Sequence, residues 1–270
     1  RDTLVMSRLH TPDLDGGHSL KAWGKRLGYH KMDFDVEDFD GGLTDEMIEY
    51  CLRDVDVTRK LYDVLCTKLS DYSDFSVQLE HDVAAITAQQ IRNGFKLDVS
   101  VATDWQCRMA DRLAEIEQEL QEVFPPIVTA RWSEKTGKRL KDSVEVFNVG
   151  SRQQIAKRLE TLGVVWKEFT PSGQAVINEK TLDIDLREAQ LCKEYLGLVK
   201  LKGMVDSWLI MINHDTGRVH GYVNSCGAVT GRMTHSKPNL AQIPSLPEAR
   251  KCFTVEMNNV LVGCDASGLE

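Results

Sequence analysis

The sequence predicts an α/β fold in which long amphipathic helices are followed by short strands. In several stretches between residues 44 and 212, apolar residues recur every three or four positions, as expected for helices with one buried face. After residue 212 that period stops, and "DTGRVHGYVNSCGAVTGRMTH" combines turn-forming with β-branched residues, which favours short strands and loops. The apolar run Val260 to Cys264 predicts a buried strand near the last residue.

The first predicted helix covers residues 44–69, with Thr44 as its N-cap. Its expected buried stripe consists of Ile48, Cys51, Val55, Tyr62, Leu65 and Leu69. The acidic, glycine-containing segment "DFDVEDFDGG" before this helix indicates a loop. The segment "SDYSDFS" after it indicates a boundary between domains.

Two helices are predicted to follow this boundary. Residues 77–93 form the first, which ends at Gly94 because glycine readily adopts the left-handed conformation of a helix C-terminus. The extended segment "FKLD" comes next, and Asp98 is the expected cap of the second helix. The buried residues expected along this second helix are Trp105, Met109, Leu113, Ile116, Leu120 and Phe124. Pro125 and Pro126 end it.

Two more helices are predicted before residue 212. "SRQQIAKRLETLG" places Ser151 and Gln154 at the two positions of a capping box, with Gly163 as the stop. The apolar residues of a last long helix are Tyr195, Leu198, Leu201, Val205, Leu209 and Ile212. Long antiparallel helices joined by a basic loop are more typical of an extended helical arm than of a catalytic core.

The composition is that of a globular protein without a membrane segment, since 42% of the 270 residues are hydrophobic and 27% are charged. No apolar run approaches the roughly 20 residues that a membrane helix needs. Seven cysteines without a C-x-x-C pair argue against a zinc ribbon and favour a reducing, cytoplasmic location. Because the sequence opens at Arg1 without an initiator Met and stops soon after Asp265, we expect a piece of a longer protein.

The charge distribution leaves nucleic acid open as a partner despite a net charge of -8. Residues 1–80 contain 17 acids and 10 bases, whereas the other 190 residues contain 24 and 23. Within the second part, "RWSEKTGKRLK" (residues 131–141) contains five bases and one acid. This basic run is either a contact for nucleic-acid phosphates or a solvated loop.

Asp265 is the first candidate for catalysis, because it directly follows the predicted apolar strand. A carboxylate at a strand end is held rigidly, and Mg²⁺ takes oxygen ligands, often from only one or two carboxylates plus substrate phosphates. The alternative is that Asp265 only forms a turn after the strand.

The stretch "AVTGRMTHSKPNLAQIP" (residues 228–244) resembles the palm of the family A DNA polymerases, with its ordered T-G-R, P-N-L and I-P motifs before a strand that ends in the catalytic Asp. Flanking segments extend the resemblance: "EYLGLVKLKG" is similar to the thumb helix, "DTGRVHG" to the first palm hairpin, and "ARKCF" to the segment with an arginine before the strand. The variant "DASGLE" resembles the replicative polymerases of short-tailed phages.

The resemblance implies a role for each matching residue. Asp265 would be one of two aspartates that hold paired Mg²⁺ ions, and the carbonyl of Ala266 would add a metal ligand. Glu270 would select deoxynucleotides by crowding a ribose 2′ hydroxyl, and Arg232 would contact the minor groove near the primer end. The other implied DNA contacts are Thr230, Asn239, Gln242, Arg250, Lys200 and Lys202. Alternatively, Asn239 and Gln242 only tie loops, and Arg250 forms a structural ion pair.

A second match lies in the N-terminal part. Tyr50 and Asp54 stand four apart on the first predicted helix and therefore share a face. This "Y-x-x-x-D" spacing resembles the third motif of 3′→5′ exonucleases with an RNase H-like fold, in which the Asp binds a metal ion and the Tyr positions the attacking water. Without the resemblance, a surface hydrogen bond is the simpler explanation of the pair. Asp56 is expected to be solvated.

The resemblance implies three domains: the C-terminal part of an exonuclease domain (1–74), a helical thumb (75–212) and the start of a palm (213–270). The implied function is template-directed DNA synthesis with proofreading, with primer-template DNA and deoxynucleoside triphosphates as partners. Thioredoxin binding is doubtful, since only residues 125–145 join the two thumb helices. The alternatives are a free-standing 3′→5′ exonuclease with a helical binding appendage and a non-catalytic protein derived from a polymerase. The upstream exonuclease motifs, the fingers and the second palm aspartate are missing, so we expect the piece alone to be inactive.

Overall fold

The computed structural model describes residues 1–30, 32, 42–264 and 268. Two units form: the first contains Arg1–Lys96 and Asn213–Pro244, and the second contains Leu97–Ile212 and Ser245–Glu270. The mixture of helices and strands confirms the predicted α/β class. The three domain boundaries implied by the resemblance stay a prediction.

Eight helices and eight short strands lie in the described ranges. The helices are α1 (Thr3–His10), α2 (Leu20–Arg26), α3 (Asp45–Lys68), α4 (Asp74–Asn93), α5 (Val99–Val123), α6 (Arg152–Glu160), α7 (Arg187–Ile210) and α8 (Pro247–Lys251). The strands are β1 (Phe95–Leu97), β2 (Ile127–Thr129), β3 (Ser143–Glu145), β4 (Ile212–Asn213), β5 (Arg218–Val219), β6 (Tyr222–Asn224), β7 (Thr234–Ser236) and β8 (Phe253–Thr254). Among the described residues, no helix is long and apolar enough to cross a membrane.

Helix α3 begins where the sequence predicts but buries a different face. The Thr44 hydroxyl accepts a hydrogen bond from the Met47 N–H at 3.2 Å, which confirms the N-cap. The residues of α3 and its C-cap that are buried are Val57, Leu61, Leu65 and Leu69. The predicted stripe is therefore wrong except at its end; the side chains that are exposed instead are Ile48, Cys51, Val55 and Tyr62. The reason is tertiary, because the core that α3 joins contains Met6 of α1 and Trp23 of α2 and involves only the C-terminal half of α3.

Two side chains, one from β5 and one from the residue after it, hold the C-terminal end of helix α4. Gly94 has φ +59° and closes the helix as predicted. Arg218 donates from Nη1 to the carbonyls of Asn93 and Gly94, both at 3.1 Å, and His220 Nδ1 lies 2.9 Å from the carbonyl oxygen of Ile91. These bonds satisfy carbonyls that a helix C-terminus leaves without intrahelical partners. Strand β5 pairs antiparallel with β1, and Phe95 lies opposite Val219.

The second unit is built on α5 and α7. Asp98 caps α5 as predicted, and its bonds, above all from the Ser100 hydroxyl, hold the pKa of Asp98 below its usual value. The predicted stripe of α5 is confirmed, with Leu113 packed at the edge of the core; the fully covered members include Ile116 and Leu120. Side-chain bonds show that α5 and α7 are antiparallel. Residues near the start of α5 bond to residues near the end of α7, and residues near the end of α5 bond to residues near the start of α7. The bonded pairs are Gln106–Asp206, Arg112–Glu194 and Glu119–Arg187.

Helix α6 completes this core. Ser151 is its N-cap and accepts from the Gln154 N–H, but the Gln154 side chain accepts from the Asn148 N–H at 2.7 Å rather than from Ser151. The predicted capping box is thus only half formed. Ile155 and Leu159 are fully buried against the α5–α7 pair.

Two predictions about strands differ from the structure. The run 260–264, which the sequence predicts as a buried strand, forms no strand, and Val260, Leu261 and Val262 are 79%, 60% and 85% exposed. A strand requires a hydrogen-bonded neighbour, and no described strand pairs with this run. The basic segment 131–141 is a loop as expected, but it connects two strands that the sequence did not predict, β2 and β3, which pair antiparallel with Val128 opposite Val144.

Candidate functional site

The stretch with the palm-like motifs forms a hairpin closed by a tight loop. Strands β6 and β7 pair antiparallel, with Asn224 opposite Thr234. A Cβ on Gly227 would lie 2.0 Å from Thr234 Oγ1, so only glycine fits this closure. The carbonyl of Arg232 accepts from the N–H groups of Gly227 and Ala228, both at 3.1 Å. The backbone of the T-G-R motif is therefore held in place from within the loop.

This loop presents the predicted DNA contacts Thr230 and Arg232 at the surface. Both side chains are exposed. Gly231 between them has φ +75°, and its N–H donates to the Ala228 carbonyl at 2.8 Å. The turn thereby fixes the backbone between these two residues.

The P-N-L motif packs against the start of the same hairpin. A Cβ on Gly221 would lie 2.9 Å from the Pro238 carbonyl oxygen, which shows how closely the two segments approach. Asn239 caps a short 3₁₀ helix, Leu240–Gln242, by accepting from the Ala241 N–H at 3.1 Å. This bond supports the alternative that Asn239 ties the loop. Gln242 is exposed at the end of the same turn.

Arg250 belongs to the second unit. It lies on α8, where Ala249 and Cys252 are fully buried and Arg250 is exposed. The N–H of Asp98 donates to the Cys252 carbonyl at 2.8 Å and holds the end of α8. In the described ranges no acidic side chain pairs with Arg250, so its alternative role as a structural ion pair finds no support there.

Lys200 and Lys202 of α7 point to different sides of the helix, because two positions correspond to a rotation of about 200°. Lys202 Nζ donates to Asp206 at 3.0 and 3.3 Å. Partial burial opposes ionisation of Asp206, but hydrogen bonds from Gln106 and Lys202 outweigh it and keep the pKa of Asp206 below its usual value. Lys202 is thus engaged in the α5–α7 pair, and the two lysines do not share one binding face.

Lys200 instead lines a groove of about 630 Å³ between α7 and the start of α6, which sequence reasoning missed. The basic residues of this groove are Arg152, Arg187, Lys193 and Lys200. Two of them are already bonded: Arg187 to Glu119 at 2.7 Å, and Lys193 to Asp183 at 2.8 Å. A signal was present, because Lys193, Gly197 and Lys200 recur at spacings of four and three and so share a face.

Tyr50 and Asp54 lie on α3 as predicted. Both are half-buried, and they stand one turn apart on the same face. Thr58 donates to the Asp54 carbonyl at 2.7 Å. Asp56 is exposed, as expected. A half-buried carboxylate beside a phenol is compatible with metal binding, but it supplies one ligand only.

Asp265, Ala266 and Glu270 lie outside the residues that the structure describes. Within the described ranges, no group of three or more His, Cys, Asp or Glu side chains is arranged to hold a metal ion. The described residues therefore do not by themselves fit a Mg²⁺ ion; they form an exposed loop and a groove lined by several basic side chains.

A sequence model of the family described as DNA polymerase family A matches residues 112–270. This range includes the C-terminal part of α5, all of α7 and the complete hairpin with the T-G-R and P-N-L motifs. Because it covers more than half of the chain, the chain belongs to DNA polymerase family A. Polymerases of this family generally use divalent metal ions, in most cases Mg²⁺.

The curated relatives include phage and bacterial polymerases. The DNA-directed DNA polymerases of Escherichia phage T7 and Enterobacteria phage T3 are each 29% identical to this chain, in matches that cover 100% of this chain and 56% of the relative. The thermostable DNA polymerase I of Thermus caldophilus is 28% identical over 208 residues, covering 72% of this chain and 22% of the relative. The chain thus spans about half the length of the phage relatives.

A solved structure shares the fold. The POL domain of Pol1 from M. smegmatis, in complex with DNA primer-template and dNTP, matches with a TM-score of 0.71 at 19% identity. The match covers 93% of this chain and 40% of that chain. At this identity the likeness establishes the fold alone.

Proposed function

We propose that this chain is part of a DNA-directed DNA polymerase that extends a primer on a DNA template. The observation that carries the proposal is the hairpin loop that presents Thr230 and Arg232, within the range that the family matches. Since the chain spans only about half the length of its phage relatives, the activity is assigned to the complete protein. The exonuclease alternative is less favoured, because it gives no purpose to residues 228–270.

The backbone of the β6–β7 hairpin supports a contact between Arg232 and the minor groove. Its carbonyl bonds hold the Arg232 backbone, so the guanidinium is presented from a rigid turn. The minor-groove edge of every correct base pair carries acceptors at purine N3 and pyrimidine O2, and an arginine there recognises correct pairing regardless of sequence. Thr230 flanks it, whereas Asn239 positions the neighbouring turn.

We assign the metal site to residues outside the described ranges, following the resemblance. Asp265 and the carbonyl of Ala266 would hold Mg²⁺, which supplies charge stabilisation for phosphoryl transfer. Glu270 would exclude the ribose 2′ hydroxyl. Lys200 and Arg250 would contact DNA phosphates, and the bond of Lys202 to Asp206 gives Lys202 a structural role first.

Proofreading is the second part of the proposal. Tyr50 and Asp54 would belong to the exonuclease site of the complete protein, Asp54 as a metal ligand and Tyr50 as the group that orients water. The 270-residue chain alone would neither extend nor degrade a primer, because each site would need further residues from the complete protein.

The test is single-nucleotide extension by the complete protein on a primed template. Wild type should add the complementary deoxynucleotide. Arg232→Ala should lower incorporation about 10- to 100-fold, the range expected for a lost charged hydrogen bond. Arg108→Ala, which removes an exposed arginine paired with Asp104, is the matched control and should leave the rate unchanged. A protein that only degrades primers, with no template-dependent addition, would contradict the proposal.

A further inference from the structure

The β2–β3 hairpin ends in a tip with a defined cross-strand pair. Trp132 and Arg139 lie opposite each other, flanked by bonds from the Leu140 N–H to the Arg131 carbonyl at 2.8 Å and from the Ser133 N–H to the Lys138 carbonyl at 2.9 Å. This makes Trp132 and Arg139 a non-hydrogen-bonded pair, in which side chains on one face approach most closely. The indole and the guanidinium are therefore neighbours on one side of the tip.

Trp132 differs from every other tryptophan of the chain in its exposure. It is 61% exposed, whereas the remaining tryptophans, all in the described ranges, are 8% exposed or less: Trp23, Trp105, Trp166 and Trp208. An exposed indole on an exposed hairpin contributes nothing to a core. A ligand that covers its flat face would bury this apolar surface.

The same tip carries a dense positive charge. Residues 131–141 contain five bases and one acid in a chain of net charge -8. All five bases are exposed, and of these Arg139 pairs with Asp142 at 3.2 Å. Charge complementarity thus indicates a polyanion.

We propose that the β2–β3 hairpin binds single-stranded DNA, with Trp132 stacked on an unpaired base and Arg131, Lys135 and Lys138 contacting phosphates. A duplex offers phosphates, but its base faces are already stacked on one another, so Trp132 would remain uncovered. An unpaired strand offers both features, since aromatic stacking and basic side chains are the usual means of binding it. The choice of DNA over other polyanions rests on the proposed polymerase function.

Tryptophan fluorescence of the 270-residue chain tests this directly, because only one of its five indoles is accessible. Titration with a deoxythymidine oligomer of about 12 nucleotides should quench that emission and protect it from iodide. Affinity should fall with salt, with a slope of about -0.7 per phosphate contacted. Duplex DNA, an oligouridine and polyglutamate of similar charge serve as competitors, and the unlabelled deoxythymidine oligomer should compete at least about tenfold better than the duplex or the peptide.

Variants separate stacking from charge. Trp132→Ala should weaken oligomer binding about tenfold, whereas Trp132→Phe should stay within about threefold of wild type because the ring is kept; both are followed by anisotropy of a labelled oligomer. Lys135→Glu with Lys138→Glu should weaken binding and flatten the salt slope. Val165→Ala, at a residue 84% exposed elsewhere in the unit, is the control and should have no effect.

Three outcomes would overturn the proposal: unchanged oligomer binding in Trp132→Ala, tighter binding of duplex than of single strand, or preferential binding of polyglutamate. Equal binding of the deoxythymidine and uridine oligomers would support the stacking mode. None of these readouts requires nucleotide incorporation, so this proposal and the polymerase proposal fail independently.

Discussion

The end of α4 in the first unit and the α5–α7–α6 core in the second unit are stabilised by different physical means. At Gly94, φ is +59° and a Cβ would lie 2.7 Å from His220 Nδ1 and 2.8 Å from the Val219 carbonyl oxygen. In the second unit, Leu159 is fully buried in a core of apolar side chains, and ion pairs flank the helices at the surface. Adding a methyl group should therefore destabilise the first region, whereas removing part of a buried side chain should destabilise the second.

The largest expected effect is the loss of a core side chain in the second unit. Leu159→Ala should lower the free energy of unfolding by about 3 kcal/mol, because Leu159 is fully buried and the cavity adds to the lost transfer energy. Urea denaturation followed by circular dichroism measures this. Leu162→Ala, at a residue 43% exposed, should cost less than about 1 kcal/mol, and equal losses in the two variants would contradict the account.

The second-largest loss of stability is expected when one methyl group is added in the first unit. Gly94→Ala should lower the free energy of unfolding by about 2 kcal/mol, through strain at positive φ and the close Val219 carbonyl. Gly203→Ala is the matched control, since Gly203 lies inside α7 with open space around it. It should raise stability by roughly 0.5–1 kcal/mol. Thermal melting compares the two, and a stabilised Gly94→Ala variant would refute the steric argument.

The stability of the protein should fall at alkaline pH because of two buried groups on α7. Burial, reinforced by Glu117, raises the pKa of Tyr195 to about 12, and burial raises the pKa of Cys192 to about 12. The unfolded chain loses these protons near the ordinary values of 10.0 and 9.0. Their stabilisation is therefore complete below about pH 9 and is lost as the pH rises toward 12. Denaturation at a series of pH values should show this decline. Cys192→Ala should make it shallower; an unchanged slope would contradict the assignment.

The smallest effect is expected for the surface ion pairs. Arg112 bonds to Glu194 at 2.7 Å and lowers the pKa of that carboxyl through its hydrogen bond. Because the two side chains are 36% and 43% exposed, the coupling free energy should be only about 0.5–1 kcal/mol. A double-mutant cycle of Arg112→Ala and Glu194→Ala gives it. Coupling that persists undiminished in about 1 M salt, where surface charges are strongly screened, would show that the pair is more shielded than its exposure indicates.

Local features of the fold could be predicted from the sequence because their causes are local. Thr44, Gly94 and Asp98 cap helices as predicted, since each cap depends on the residue and its nearest neighbours. The buried face of α3 could not be predicted, because Ile48 and Leu61 are equally apolar and only packing selects between them. The run Val260–Cys264 has the composition of a strand, but pairing is a property of its neighbours.

The candidate site shows the same division. The role of Arg232 as a DNA contact stays a prediction from the sequence, and the structure places this residue on an exposed turn. The sequence does not reveal that Lys202 bonds to Asp206 or that Lys200 lines a groove with Arg152. These relations depend on how the helices pack against one another, and no local pattern encodes that packing.

The most direct test of the polymerase assignment is single-turnover nucleotide incorporation by the complete protein with Asp265→Asn. The isosteric amide removes a negative charge without adding volume, so primer-template binding should persist while incorporation falls at least about 100-fold. Asp104→Asn, at an exposed aspartate on α5, should incorporate at the wild-type rate. Wild-type incorporation by the Asp265→Asn protein would contradict the account.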